Sequence, residues 1–142
     1  MLIDFHVHLS RSEHERPWVL EFLDSQFDGN LWAVVDRVLT PTAIRPFLQE
    51  HGIDWAVGLA EDSPATVGST PHDYVANLCA QANALPDPPT GPRGRLIPFA
   101  SLNPYIVNDL GHELERLVKE RGFRGIKAYP VYQLHYMNDI RM

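Results

Sequence analysis

Apolar and polar side chains alternate over residues 1–9, with Ile3, Phe5, Val7 and Leu9 on one parity and Asp4, His6 and His8 on the other. That period of two predicts a first strand with one greasy face and one chemical face. Residues 10–40 lack a comparable pattern: a charged stretch leads into Trp18 and Phe22, and Leu31, Val34, Val35 and Val38 recur at helical spacing. This stretch reads as a long insertion with weakly marked helices. The pattern then sharpens. Thr40-Pro41 supplies a cap and a first helical residue, Ile44, Phe47 and Leu48 share a face, and Gly52 terminates the helix. The apolar run 53–60 predicts a second strand covered on both faces, and the Asp, Ser, Pro and Gly of 61–70 predict a loop.

A helix opening at Thr70-Pro71 carries Val75, Leu78, Cys79, Ala82 and Leu85 before the break at Pro86-Asp87-Pro88-Pro89. Residues 96–102 predict a third strand closed by Asn103-Pro104. The next helix starts near Asn108 or Asp109, places Leu110, Leu114, Leu117 and Val118 inward, and stops at Gly122. Residues 123–130 predict a fourth strand, with Gly125, Lys127 and Tyr129 on one face. The βαβαβαβ order implies an α/β chain of parallel strands joined by helical crossovers. A doubly wound sheet would carry a glycine-rich turn after strand one, where this chain has two histidines. The expectation is therefore the N-terminal half of a TIM-like (β/α)8 barrel, four of eight strands, with one domain over 1–142 and an insertion at about 10–40.

Composition narrows the partners. The 142 residues are 44% hydrophobic, enough for one packed domain. The net charge of −6 arises from 18 acidic and 12 basic residues without long like-charge runs, which disfavours nucleic acid and anionic membranes as partners. A single cysteine, Cys79, excludes an internal disulfide and suits a reducing cytoplasm. No signal-peptide pattern and no apolar run of about 18 residues is present, so a soluble, unprocessed chain is expected.

His6 and His8 are the residues with chemical promise. One residue apart on a strand, their imidazoles project to the same side about 6–7 Å apart along the backbone, from where both can reach one cation. Hydrogen-bonded strand histidines without a metal are the plainer alternative. Lys127 and Tyr129 would face the same barrel mouth. The lysine could meet a substrate carboxylate or carry a carbamate that bridges two metals, and the tyrosine could donate to an oxyanion. A structural ion pair or a snorkelling side chain is the alternative for both. Asn103 reads as a turn residue or as a group orienting a ligand. His14, His51, His72, His112 and His135 show no i, i+4 pairing and are expected in solvent. No Walker loop, nucleophile elbow or cysteine cluster is present.

Ile3-Asp4-Phe5-His6-Val7-His8, Phe99-Ala100-Ser101-Leu102-Asn103-Pro104 and Gly122-Phe123-Arg124-Gly125-Ile126-Lys127 together resemble the amidohydrolase-related group, which includes metal-dependent hydrolases and non-oxidative decarboxylases of carboxylated substrates. The resemblance implies His6 and His8 as ligands of a divalent metal, most often zinc, with manganese the other option. It also implies later-strand ligands and a final-strand aspartate that activates water, for which this chain has no counterpart. Such a metal lowers the pKa of water from near 16 toward about 7. Relatives often carry histidine where this chain has Tyr129. The implied function is hydrolysis or decarboxylation of a small molecule, by a chain completed as a homo-oligomer or by a missing C-terminal half and inactive alone. A PHP-like or TatD-like phosphoesterase would also open on His-x-His, and a non-catalytic barrel module is the remaining alternative.

Overall fold

The computed structural model describes residues 1–141. In chain order these form β1 (Ile3–His8), a 3-10 turn (Ser12–His14), α1 (Pro17–Gln26), α2 (Leu31–Val38), α3 (Pro41–Glu50) and β2 (Trp55–Leu59). There follow β3 (Glu61–Ser63), β4 (Gly68–Thr70), α4 (His72–Ala84), β5 (Arg95–Ser101), α5 (Leu110–Arg121), β6 (Gly125–Lys127) and α6 (Pro130–Gln133). β1, β2, β5 and β6 make one parallel sheet in that order, and β3 and β4 pair as a separate antiparallel hairpin. The chain is thus a mixed α/β fold around a four-stranded parallel sheet, as the alternating pattern predicts.

Local chemistry sets the helix ends. Thr40 stands at the N-cap of α3 ahead of Pro41, and the Asp109 carboxylate accepts from the His112 amide at 2.9 Å at the head of α5. Gly122, at φ 76°, closes α5 in the left-handed conformation, and its amide donates to the Leu117 carbonyl.

Register shows which sheet face the helices cover. Ala56 aligns with Leu96 and Phe99 with Gly125, and the buried cluster takes Ala56, Ala60, Leu96 and Ala100 from a single parity. Ile44 and Leu48 of α3, Val75, Leu78 and Cys79 of α4, and Leu117 of α5 belong to that cluster, so the three helices share one side of the sheet. Small residues on β2 make room for it: a Cβ on Gly58 would lie 2.5 Å from Leu9 Cδ1. Cys79 is buried, and desolvation pushes its thiol up to about 12, leaving it inert.

A buried arginine ties the helix layer together. Arg45 of α3, 1% exposed, donates to the carbonyls of Leu85 at 2.5 Å, Ala82 at 3.2 Å and Arg93 at 2.8 Å, and to Asp87 at 2.8 Å. One side chain thereby satisfies the carboxyl end of α4 and the loop entering β5.

Several sequence expectations change. β1 carries a register irregularity between Asp4 and Val7. Ile3 therefore aligns with Trp55, Asp4 with Ala56, Val7 with Gly58 and His8 with Leu59, so Asp4 takes the helix-side parity and does not share a face with His8. The stretch 61–70 holds the β3–β4 hairpin instead of a plain loop. The fourth strand is only three residues long. Phe123 is buried with its amide donating to the Leu117 carbonyl, and Pro130 opens α6. Val118 and Phe47 are exposed, because α5 and α3 present narrower apolar faces than the spacing suggests. No helix among the described residues is long and apolar enough to cross a membrane.

Candidate functional site

β1 ends on His8, β2 leads directly into Glu61, and β6 leads through Lys127 to Tyr129. Parallel strands deliver their carboxyl ends to one side of a sheet, so these groups converge there. His6 Nε2 and His8 Nε2 are 2.9 Å apart, with ring centroids 4.9 Å apart. Two imidazole nitrogens of a tetrahedral zinc, each about 2.0–2.1 Å from the ion, stand roughly 3.4 Å apart. The pair lies about half an ångström inside that spacing, and its distance is also that of a hydrogen bond between the two rings. Asp4 Oδ1 accepts from the His6 amide at 3.0 Å and holds the bulged backbone. His8 is held down to about 4, by desolvation first, then by the charges of Lys127 and His6, with Glu61 opposing. At neutral pH it is the uncharged imidazole, the form that ligates a metal. Among the described residues no third His, Cys, Asp or Glu completes a metal-binding group with them.

Lys127 and Tyr129 do come to the histidine end of the sheet, in roles other than contact with a free carboxylate. Lys127 Nζ pairs with Glu61 Oε2 at 3.1 Å, both side chains nearly buried, and lies 4.5 Å from the Tyr129 ring centroid. The lysine's charge is thereby balanced from within the protein. Tyr129 packs against Tyr132 with centroids 4.2 Å apart, and desolvation, with Tyr132 beside it, raises its hydroxyl pKa.

Comparisons with protein-family models, curated proteins and solved structures found no match. The site therefore rests on its own geometry.

A cavity of about 430 Å³ opens beside His8, walled by Trp18, Phe22 and Trp32 from the insertion, Tyr129 and Tyr132 from the end of the chain, and Val67 from the hairpin. Its polar lining is His8, Ser10, Glu15 and Glu61. The insertion is docked by an antiparallel bridge between Glu15 and Gly68, by the Arg16 amide donating to the Val67 carbonyl at 2.8 Å, and by the Ser10–Thr70 hydroxyl pair. Gly68, at φ 143°, packs so closely that a Cβ would lie 2.9 Å from Glu15 Cα.

Sequence reasoning passed over Glu61, Glu15 and the two tryptophans. Glu61 was legible, since Val57, Leu59 and Glu61 continue one strand parity, the parity that aligns with His8. Asn103 is structural: its amide donates to Asp62 Oδ2 at 3.0 Å and its side chain to the Asp62 carbonyl at 3.1 Å, stitching the hairpin to the end of β5. Three histidines expected in solvent are partly or fully buried. His135 is buried against Gln133, His72 Nε2 lies 2.9 Å from the Ser101 carbonyl, and His14 Nδ1 accepts from the Arg11 amide.

Proposed function

We propose that this chain is the first four β/α units of a metal-dependent, amidohydrolase-like barrel enzyme that hydrolyses a small molecule, with His6 and His8 binding the metal. The observation that carries this reading is the 2.9 Å pair of Nε2 atoms at the carboxyl end of the first strand, of which His8 lines a cavity. Strand order is the second support. In doubly wound sheets the order reverses at a switch point, whereas four strands in chain order with helices on one side is the arrangement of a barrel wall. β1 and β6 are the edges of the described sheet, and Ile3 and Phe5 are exposed along β1, which favours completion by further strands or by a second copy.

Zinc, or manganese in its place, would supply Lewis acidity and ready access to hydroxide. The chain's own residues would do the rest. His8 stays neutral because its surroundings disfavour the imidazolium. Glu61 would hold Lys127 against Tyr129, which steadies one wall of the cavity. Hydrolysis is better supported than decarboxylation of a carboxylate, because Lys127, the cation expected to meet that carboxylate, is engaged by Glu61. Among the described residues no lysine or arginine lines the cavity to receive a phosphate, which counts against the phosphoesterase reading.

The test is turnover of a panel of chromogenic aryl esters, anilides and lactones by the purified chain in its solution assembly. The protein is assayed zinc-loaded and after chelation, beside the double variant His6→Ala, His8→Ala. The proposal expects zinc-dependent hydrolysis that the double variant lacks. Zinc-independent hydrolysis, or equal rates in the variant, would overturn it.

A further inference from the structure

The cavity beside His8 has an unusual charge balance for a place that would hold a carboxylated molecule. Its lining contains two carboxyl groups, Glu15 and Glu61, and no lysine or arginine among the described residues. The charge of Glu61 is matched by Lys127 at 3.1 Å. Glu15 has no such direct partner: among the described residues no cation lies within ion-pair distance of it, and burial raises its pKa, opposed by a hydrogen bond from Ser10 and by the more distant charge of Lys127.

The aromatic walls complete the picture. The Trp18 indole donates to the Thr66 carbonyl at 2.9 Å and the Trp32 indole to the Leu20 carbonyl at 3.3 Å, so both rings bring π surface and no spare donor to the cavity. Tyr129 already receives a cation against its ring, with Lys127 Nζ 4.5 Å from the centroid. Electron-rich rings and a carboxylate without an ion-pair partner lining one cavity favour an organic cation over an anion.

We infer that the cavity binds a small organic amine, with an aromatic or aliphatic body between Trp18, Phe22 and Trp32 and the protonated nitrogen toward Glu15. A neutral body of the same shape gains only the apolar contacts. A carboxylate meets Glu15 and the rings where no lysine or arginine lines the cavity and Lys127 is already paired with Glu61. As a statement of substrate class this rests on the proposed hydrolase, and the substrate would then be an ester or amide that carries an amine.

The experiment uses three probes of similar size and different charge, phenethylamine, 2-phenylethanol and 3-phenylpropionate, titrated into the chain by calorimetry and by indole fluorescence, with and without saturating zinc. The inference expects phenethylamine to bind about tenfold more tightly than 2-phenylethanol, and 3-phenylpropionate to bind most weakly. Glu15→Gln should erase the amine's advantage and leave 2-phenylethanol unchanged. Equal affinities, a preference for the acid, or an advantage that survives in Glu15→Gln would each overturn it. The ranking of probes in the unaltered protein decides the matter even if the variant folds poorly. Amine preference in chelated protein upholds the inference even where zinc binding fails, whereas zinc binding without amine preference leaves the hydrolase proposal standing and removes this one.

Discussion

The layer formed by β2, β5 and α3–α5 and the insertion formed by the 3-10 turn, α1 and α2 are built from similar shares of apolar residues and use them oppositely. In the layer, Ile44, Leu48, Val75, Leu78 and Leu117 are buried against alanine and glycine on the sheet. In the insertion only Val19 of α1 and no residue of α2 is buried, while Trp18 and Phe22 remain more than half exposed. One region bonds its apolar surface to itself. The other arranges part of it around a cavity, the arrangement expected of a binding segment on a rigid scaffold.

The widest separation between the regions should come from Arg45. Arg45→Ala removes the donor for the Ala82, Leu85 and Arg93 carbonyls and should cost about 3 kcal/mol, read as a lower urea midpoint at unchanged slope. A change under 1 kcal/mol would mean that water serves those carbonyls as well.

Gly68→Ala should act on the insertion alone. Its methyl group meets the His14 carbonyl and the Glu15 Cα, at a backbone angle that suits only glycine, at a cost of about 2 kcal/mol. Amide exchange should accelerate over residues 12–38 and stay unchanged in α3–α5. Uniform acceleration would show that the regions unfold as one unit.

Trp32→Ala should lower global stability by about 1 kcal/mol or less, since its ring is only partly buried, while weakening amine binding severalfold. A loss of several kcal/mol would move Trp32 from cavity wall to core.

The smallest effect belongs to His72, which bonds the end of β5 from the first turn of α4. Desolvation is the largest influence holding its pKa below the ordinary 6.5. The unfolded chain therefore binds more protons just below pH 6.5, and stability falls as pH drops from 6.5 through the folded value. Urea midpoints at pH 7.5 and 5.5 should differ more in the natural chain than in His72→Gln, and equal differences would contradict this.

The same division explains what the sequence made legible. Thr40-Pro41, Asp109 and Gly122 act locally, within a few residues of themselves, and each ends or begins a helix where the pattern predicts. Helices that pack on a sheet must repeat their apolar face, so α3–α5 were readable, although Val118 and Phe47 show that periodicity overstates the width of the face. Residues 10–40 were opaque because a cavity wall imposes no such period. The bulge in β1, which shifts Asp4 off the face of His8, was invisible because it is a matter of pairing register with β2, on which an alternating pattern within one strand is silent. The shared strand position of His6 and His8 and the parity of Glu61 were readable from the pattern, whereas Glu15 required knowing that the insertion folds over the strand ends.

The central claim is that His6 and His8 converge on one divalent metal, and calorimetric titration of zinc into the chelated chain and into the double variant His6→Ala, His8→Ala tests it most directly. The account predicts about one zinc per chain in the natural protein and a loss of at least tenfold in affinity in the variant, with circular dichroism unchanged. Equal zinc binding by both proteins, or none by either, would contradict it and leave the 2.9 Å contact as a hydrogen bond between two histidines.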